Sequence, residues 1–193
     1  MFSIISKLFA TDKVENSVHW ARVVMNRETK NLIQQLDYHS FSALEISGHL
    51  WKAYPFKTYK SLYFPEFDIC EMKLDAQFDL IIAEQVFEHL LKPHHAGRNI
   101  YSMLNPNGYF LITTPFLIKI HEEPNDCTRW SIAGLKYLLT ESGFSEDKLY
   151  INSWGNRSCV ISNFERWEKY RENKHSLVNE PNFPVVVWAL AQK

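Results

Sequence analysis

Phe78-Asp-Leu-Ile-Ile-Ala-Glu-Gln-Val-Phe-Glu-His-Leu-Leu91 decides the fold of this chain. Its first six residues are almost continuously apolar, as strands buried on both faces are, and Glu84 and Gln85 then end the run. On its N-terminal side, Ser40-Phe-Ser-Ala-Leu-Glu-Ile46 repeats the pattern and runs into Ser47-Gly48, the signature of a buried strand entering a tight turn. Thr58 to Tyr63, closed by Pro65, reads as a further strand, and a short one is expected around Phe67 to Cys70. Still earlier, Val18, Ala21, Met25, Leu32 and Leu36 fall near helical spacing with no glycine or proline between them.

On the C-terminal side, Pro93 suits the first turn of a helix whose apolar face is Ala96, Ile100, Met103 and Leu104. Asn105-Pro-Asn-Gly108 predicts a turn, because proline presets its own φ while asparagine and glycine tolerate left-handed backbone. Tyr109 to Thr114 returns as a strand. Ser131 is a good N-cap for a helix with a Leu135, Leu138, Leu139 stripe, and Gly143 sits where a C-terminal glycine belongs. Leu149 to Ser153 predicts a strand, Phe164 to Lys174 a helix, and Phe183 to Ala191 a strand interrupted only by Pro184. Strands separated by helices mean βαβ units. The expected fold is α/β: a Rossmann-like, doubly wound, mainly parallel sheet with an antiparallel C-terminal strand. A single domain spans 1–193, with an N-terminal helical segment over 1–38 and the α/β core over 41–192.

Composition narrows the function. The 193 residues suffice for one domain with a full core. Basic and acidic residues number 21 and 22, giving a net charge of −1 without long runs of one sign, so nothing points to nucleic acid. The apolar start, Met1 to Ala10, is broken by Ser3, Ser6 and Lys7; it is too short for a membrane span and lacks the features of a signal peptide. Cys70, Cys127 and Cys159 form no CxxC pair, which argues against a disulfide framework or zinc knuckle and for a cytoplasmic location. The histidines show no HExxH or comparable ligand spacing, so no metal site is expected.

The order of motifs resembles the class I S-adenosylmethionine-dependent methyltransferases. The pieces are Ala43-Leu-Glu-Ile-Ser-Gly48, Phe78-Asp-Leu-Ile-Ile82, Val86-Phe-Glu-His-Leu90, and Leu104-Asn-Pro-Asn-Gly-Tyr-Phe-Leu-Ile112 with Pro115. His121-Glu-Glu-Pro-Asn-Asp126, Thr128-Arg129-Trp130 and Gly134-Leu135 resemble a subgroup pattern, H-x-x-P-x-D-x-x-R-aromatic-(T/S)-x-x-G-L. The likeness runs from Phe41 to Gln192. It implies S-adenosylmethionine as cofactor, bound where ligands of open α/β sheets sit, at the carboxyl ends of the strands. By resemblance Glu45 orients the first loop and the methionine ammonium, and Ser47 and Gly48 line the amino-acid moiety. Tyr63, or Glu66 as the nearest carboxylate, stands where the ribose is held. Asp68 and Ile69 flank adenine, and Glu84 and Gln85 meet the methionine part. The first loop reads Ser47, Gly48, His49, Leu50, Trp51, with one glycine where the family has three.

Each assignment has a plainer counterpart. Glu45 serves either the cofactor loop or a salt bridge, and Asp68 either adenine or a surface turn. His89 is either a base, since imidazole titrates near neutral pH, or a structural histidine. His121, Asp126 and Arg129 are expected at the mouth of the pocket on the acceptor side, with His121 or His89 as base and Asp126 or Glu88 orienting it; alternatively Asp126 and Arg129 merely fix their loop. The expected activity is methyl transfer to an oxygen or nitrogen of a small molecule such as a sugar or metabolite, with a non-catalytic domain of the same fold, binding cofactor or a protein partner, as the alternative. A dinucleotide oxidoreductase is disfavoured by the lack of G-x-G-x-x-G.

Overall fold

The computed structural model describes residues 18–121 and 124–193. The Met1 to Ala10 run, and with it much of the 1–38 segment, lies outside them. Six strands build one sheet: β1 (Ser42–Ile46), β2 (Thr58–Leu62), β3 (Phe78–Glu84), β4 (Leu104–Pro115), β5 (Leu149–Trp154) and β6 (Val186–Gln192). Their order is β2-β1-β3-β4-β6-β5. The first four run parallel, and β6 inserts antiparallel between β4 and β5. The expected doubly wound sheet with an antiparallel last strand is therefore the observed one.

Strand periodicity explains the two-sided core. In β3, Leu80 and Ile82 join Ala43, Leu111 and Ile33 on one face, while Ile81 and Ala83 join Leu44, Phe110 and Ile112 on the other. Helix α1 (Val23–Gln34) covers the first face; α2 (Pro93–Met103) and α3 (Ile132–Ser142) cover the second through Ile100, Met103, Leu135 and Leu138. Helix α4 (Arg157–Glu165) packs Cys159 and Val160 against Trp20, Trp154 and Trp188. Ser131 caps α3 by accepting from the Gly134 amide, and Gly143 closes it at φ 117°.

Four expectations shift. Phe67 to Cys70 is a turn, not a strand: the Asp68 carboxylate accepts from the Cys70 amide at 2.9 Å, and Phe67 and Ile69 bury as anchors. The α-helix from Val18 begins only at Val23, after a 3₁₀ turn at Trp20–Arg22. Of the expected helix Phe164 to Lys174 only Phe164 and Glu165 are helical, as the end of α4, which starts earlier at its Asn156 cap; the chain beyond pairs with the N-terminal segment. Trp20 donates to the Glu168 carbonyl, and Tyr170 to that of Val18, both at 2.9 Å. Asn105 to Gly108 is absorbed into β4, with Asn107 at φ 64° and a register shift opposite Phe78 to Leu80. Asp79 takes up the irregularity, accepting from Asn105 Nδ2 at 2.7 Å and from the Ser42 amide at 2.8 Å.

Candidate active site

The winding of the sheet reverses between β1, whose next strand β2 is added on one side, and β3, whose next strand β4 is added on the other, so the switch point of the sheet lies at Ser47 and Gln85. Both residues stand at φ 55°. Left-handed backbone is uncommon in non-glycine residues and is held only where the surroundings over-determine it. Gln85 is fixed by its amide on the Thr113 carbonyl at 2.9 Å and its Nε2 on Thr113 Oγ1 at 3.1 Å.

The loop after β1 is built around Glu45. Its buried carboxylate accepts from the Leu50 and Trp51 amides, each at 3.1 Å, and from the Tyr59 hydroxyl at 2.5 Å. A Cβ at Gly48 would come within 2.2 Å of Glu45 Oε1, so this glycine is required by the carboxylate beside it. The Gly48 carbonyl accepts from Ser61 Oγ and, at 2.9 Å, from the Tyr63 hydroxyl. Glu45, Gly48 and Tyr63 therefore shape the loop, and no salt bridge to Glu45 is present among the described residues.

Two cavities open at the switch point. One, of about 520 Å³, is lined by Ser47, Asp68, Ile69, Gln85 and His89 together with apolar Ile46, Phe67 and Val86. The other, of about 650 Å³, is lined by Arg22, Glu88, His121 and Trp167, and again by Gln85 and His89. The two share Gln85 and His89 as a common wall. Of the residues expected at the cofactor, Ser47, Asp68, Ile69 and Gln85 meet in the first cavity. Glu45, Gly48, Tyr63, Glu66 and Glu84 do not line it, although the first three hold its entrance loop.

The second cavity carries the titratable groups. Glu88 is 1% exposed, and neither oxygen of its carboxylate accepts a hydrogen bond from another described residue; burial pushes it up to about 7. His89 Nε2 stands 3.7 Å from Glu88 Oε1, too far for a hydrogen bond, and its Nδ1 lies 2.5 Å from the Asn125 carbonyl. His121 is packed edge-on against His89, with centroids 5.0 Å apart, and against Trp167 at 5.6 Å. Burial, then the neighbouring His89, lowers the His121 pKa.

Asp126 and Arg129 stand behind His121 and outside the cavity wall. Arg129 grips both Asp126 oxygens, the His121 amide donates to Asp126 at 2.8 Å, and His121 Nδ1 lies 3.4 Å from the same carboxylate. Against burial, which raises it, the Arg129 hydrogen bonds keep the Asp126 carboxyl below its ordinary range. The pair fixes its loop, and in doing so it also fixes His121. The same loop is joined to the turn after β3: the Cys127 and Thr128 amides donate to the Glu88 carbonyl at 2.8 and 3.3 Å.

Sequence reading missed Arg22, His19 and Trp167. Helical spacing marked the region of Arg22 only as a core-facing stripe, and Trp167 fell inside an expected helix. Trp51, Trp130 and Trp154 are core residues. Metal-ligand spacing is absent along the chain, yet the fold gathers Glu88, His89 and His121, with one ligand atom of each within 4.8 Å of the others.

A family model described as a methyltransferase domain matches residues 8–175. None of the curated proteins matches the sequence. Among solved structures, a SAM-dependent methyltransferase from Archaeoglobus fulgidus is 14% identical, with TM-score 0.58 over 90% of this chain and 94% of the other. An O-methyltransferase from a trans-AT PKS multienzyme of Brevibacillus brevis, in complex with S-adenosyl-L-homocysteine, is 14% identical, with TM-score 0.54 over 91% and 80%. Phosphoethanolamine N-methyltransferase 2 of Haemonchus contortus, in complex with S-adenosyl-L-methionine, is 14% identical, with TM-score 0.58 over 87% of this chain and 52% of the other. At these identities the likeness is one of fold.

Proposed function

The chain belongs to the methyltransferase domain family, and from that premise we propose that it transfers a methyl group from S-adenosylmethionine to an oxygen or nitrogen of a small molecule. The carrying observation is the pair of cavities that share Gln85 and His89 at the switch point of the sheet. An in-line methyl transfer needs the two ligands end to end and in contact, and two adjoining cavities that both border Gln85 and His89 supply a chamber for each.

The Ser47–Asp68 cavity fits the cofactor. Its apolar residues Phe67, Ile69 and Val86 suit a planar base, with the Asp68 carboxylate to accept from an exocyclic amine, while Ser47 and Gln85 meet the amino-acid end. When bound, S-adenosylmethionine supplies a methyl group on a sulfonium centre. The Glu88–His121 cavity takes the acceptor. Direct displacement needs alignment and a dry pocket, and a base where the acceptor carries a proton that must leave. His121 is the group for that proton, oriented by Asp126 and Arg129, with His89 on the wall between the chambers.

Calorimetry with S-adenosylhomocysteine tests the reading. Binding that Asp68→Ala weakens supports it; no heat of binding would overturn it in favour of a non-catalytic domain of the same fold. Among the described residues no helix is long and apolar enough to cross a membrane.

A further inference from the structure

The structure assigns Glu88, His89 and His121 as a binding site for a divalent first-row transition metal ion, open towards the larger cavity. The assignment goes beyond methyl transfer, and it stands whether or not the neighbouring cavity takes S-adenosylmethionine.

Three observations carry it. The first is convergence: one ligand atom from each side chain lies within 4.8 Å of the other two, although His121 comes from a different segment. Ligand atoms 2.0–2.2 Å from a common ion are about 3–3.5 Å apart. His89 Nε2 and Glu88 Oε1, at 3.7 Å, are already close to that separation. The second is Glu88 itself, a carboxylate 1% exposed without a hydrogen-bond partner from another described residue, on the wall of a large cavity. A buried carboxylate left this way is costly, and a cation bound to it removes the cost.

The third observation is how the histidines are held. Metal-bound histidines donate their other ring N–H to a carbonyl or carboxylate, which fixes the tautomer and presents the free lone pair to the ion. His89 Nδ1 faces the Asn125 carbonyl at 2.5 Å, and His121 Nδ1 faces Asp126 Oδ2 at 3.4 Å. The Asn125 carbonyl is an acceptor, so His89 carries its proton on Nδ1 and its Nε2 is free as a ligand. Arg129 Nη2, which also holds the Asp126 carboxylate, lies equally near His121 Nδ1, and His121 offers Nε2 as a ligand in the tautomer whose Nδ1–H points to Asp126.

Donor chemistry selects the ion. Two imidazoles and one carboxylate suit zinc or iron(II) and leave positions open, whereas magnesium and calcium prefer all-oxygen sites. Arg22 lines the same cavity. Its positive charge weighs against an ion held by charge alone and favours one that gains from bonding to imidazole. On the reading of this cavity as the acceptor's, His121 acts as base only in the metal-free protein; with the ion bound it is a ligand, and the open positions take an acceptor oxygen whose proton the ion makes easier to lose.

The test uses the full chain, stripped with EDTA, desalted and titrated with Co²⁺ in the absence of S-adenosylhomocysteine. The expected result is one equivalent bound with visible d–d bands, which Zn²⁺ displaces. Glu88→Gln and His121→Ala should each weaken binding by at least about tenfold, and Asp126→Asn, which acts through His121, by about 10–100-fold. His94→Ala, in the exposed pair His94–Glu141, should leave binding unchanged. Failure to bind one equivalent, or binding undiminished in Glu88→Gln and His121→Ala, overturns the assignment. S-adenosylhomocysteine titrated into the same stripped protein decides the methyl-transfer reading separately, so the two fail independently.

Discussion

Replacing Gly48 by alanine tests whether one buried carboxylate builds the loop at the switch point. The new Cβ would stand 2.2 Å from Glu45 Oε1 and 3.0 Å from its Cδ, so the carboxylate must retreat by about 1 Å to reach ordinary contact. That retreat takes Oε1 off the Leu50 amide and disturbs the bonds from the Trp51 amide and the Tyr59 hydroxyl. Hydrogen bonds to a charged group contribute about 1.5–3 kcal/mol each. Losing one and weakening a second sets the expected cost of Gly48→Ala at about 2–4 kcal/mol, or roughly 5–15 °C in Tm for a domain of this size. Urea unfolding measures the stability, and calorimetry should show S-adenosylhomocysteine affinity falling at least about tenfold as the loop loses its anchor. The decisive comparison is the double variant. If the carboxylate is what the methyl group strikes, Glu45→Ala with Gly48→Ala should be no less stable than Glu45→Ala alone. Additive costs, or a loss below about 0.5 kcal/mol for Gly48→Ala, would refute the reasoning.

Three further outcomes are expected. His121→Ala should lower turnover on an identified acceptor by roughly two to four orders of magnitude while S-adenosylhomocysteine affinity changes little; collapse of that affinity would remove His121 from the acceptor side. Burial raises Glu84 from an ordinary 4.5 to about 7, with Glu45 adding to the effect. The folded protein thus favours neutral Glu84, and the resulting stability is present below pH 4.5 and lost as pH rises through about 7. Glu84→Gln should flatten up to roughly 3 kcal/mol of that decline in urea titrations across this window, and an unchanged slope would contradict it. Asn156→Ala removes the α4 cap on the Cys159 amide and the donor to the Ser176 and Val178 carbonyls, a loss of about 2–3 kcal/mol readable as a lower unfolding midpoint.

The sheet was legible because its signals are local. Runs such as Phe78–Ala83 have to be buried on both faces, and Ser131 and Gly143 bracket α3 by their own backbone chemistry. Phe164–Lys174 misled because the main chain at Glu168 and Tyr170 pairs with Trp20 and Val18, a contact that sequence spacing does not encode. The site divides in the same way. Ser47, Asp68 and Gln85 follow strands or sit in the turns beside them, so motif order places them. Glu88, His89 and His121 meet only because the loop after β4 folds back over the turn after β3, and spacing along the chain hides that meeting. Glu84 looked equivalent to Gln85 by position, but Glu84 ends β3 whereas Gln85 follows it in left-handed backbone, and only Gln85 lines the cavities.

The Cys127 and Thr128 amides, bonded to the Glu88 carbonyl, also govern how the protein breathes. A stretch tied by main-chain bonds to the turn after β3 does not lift on its own. Its amide hydrogens should exchange with deuterium on the schedule of the sheet beneath them and lag behind those of exposed loops. Variants in this stretch that weaken its bonds to the Glu88 carbonyl should therefore speed its exchange while leaving that of the sheet unchanged.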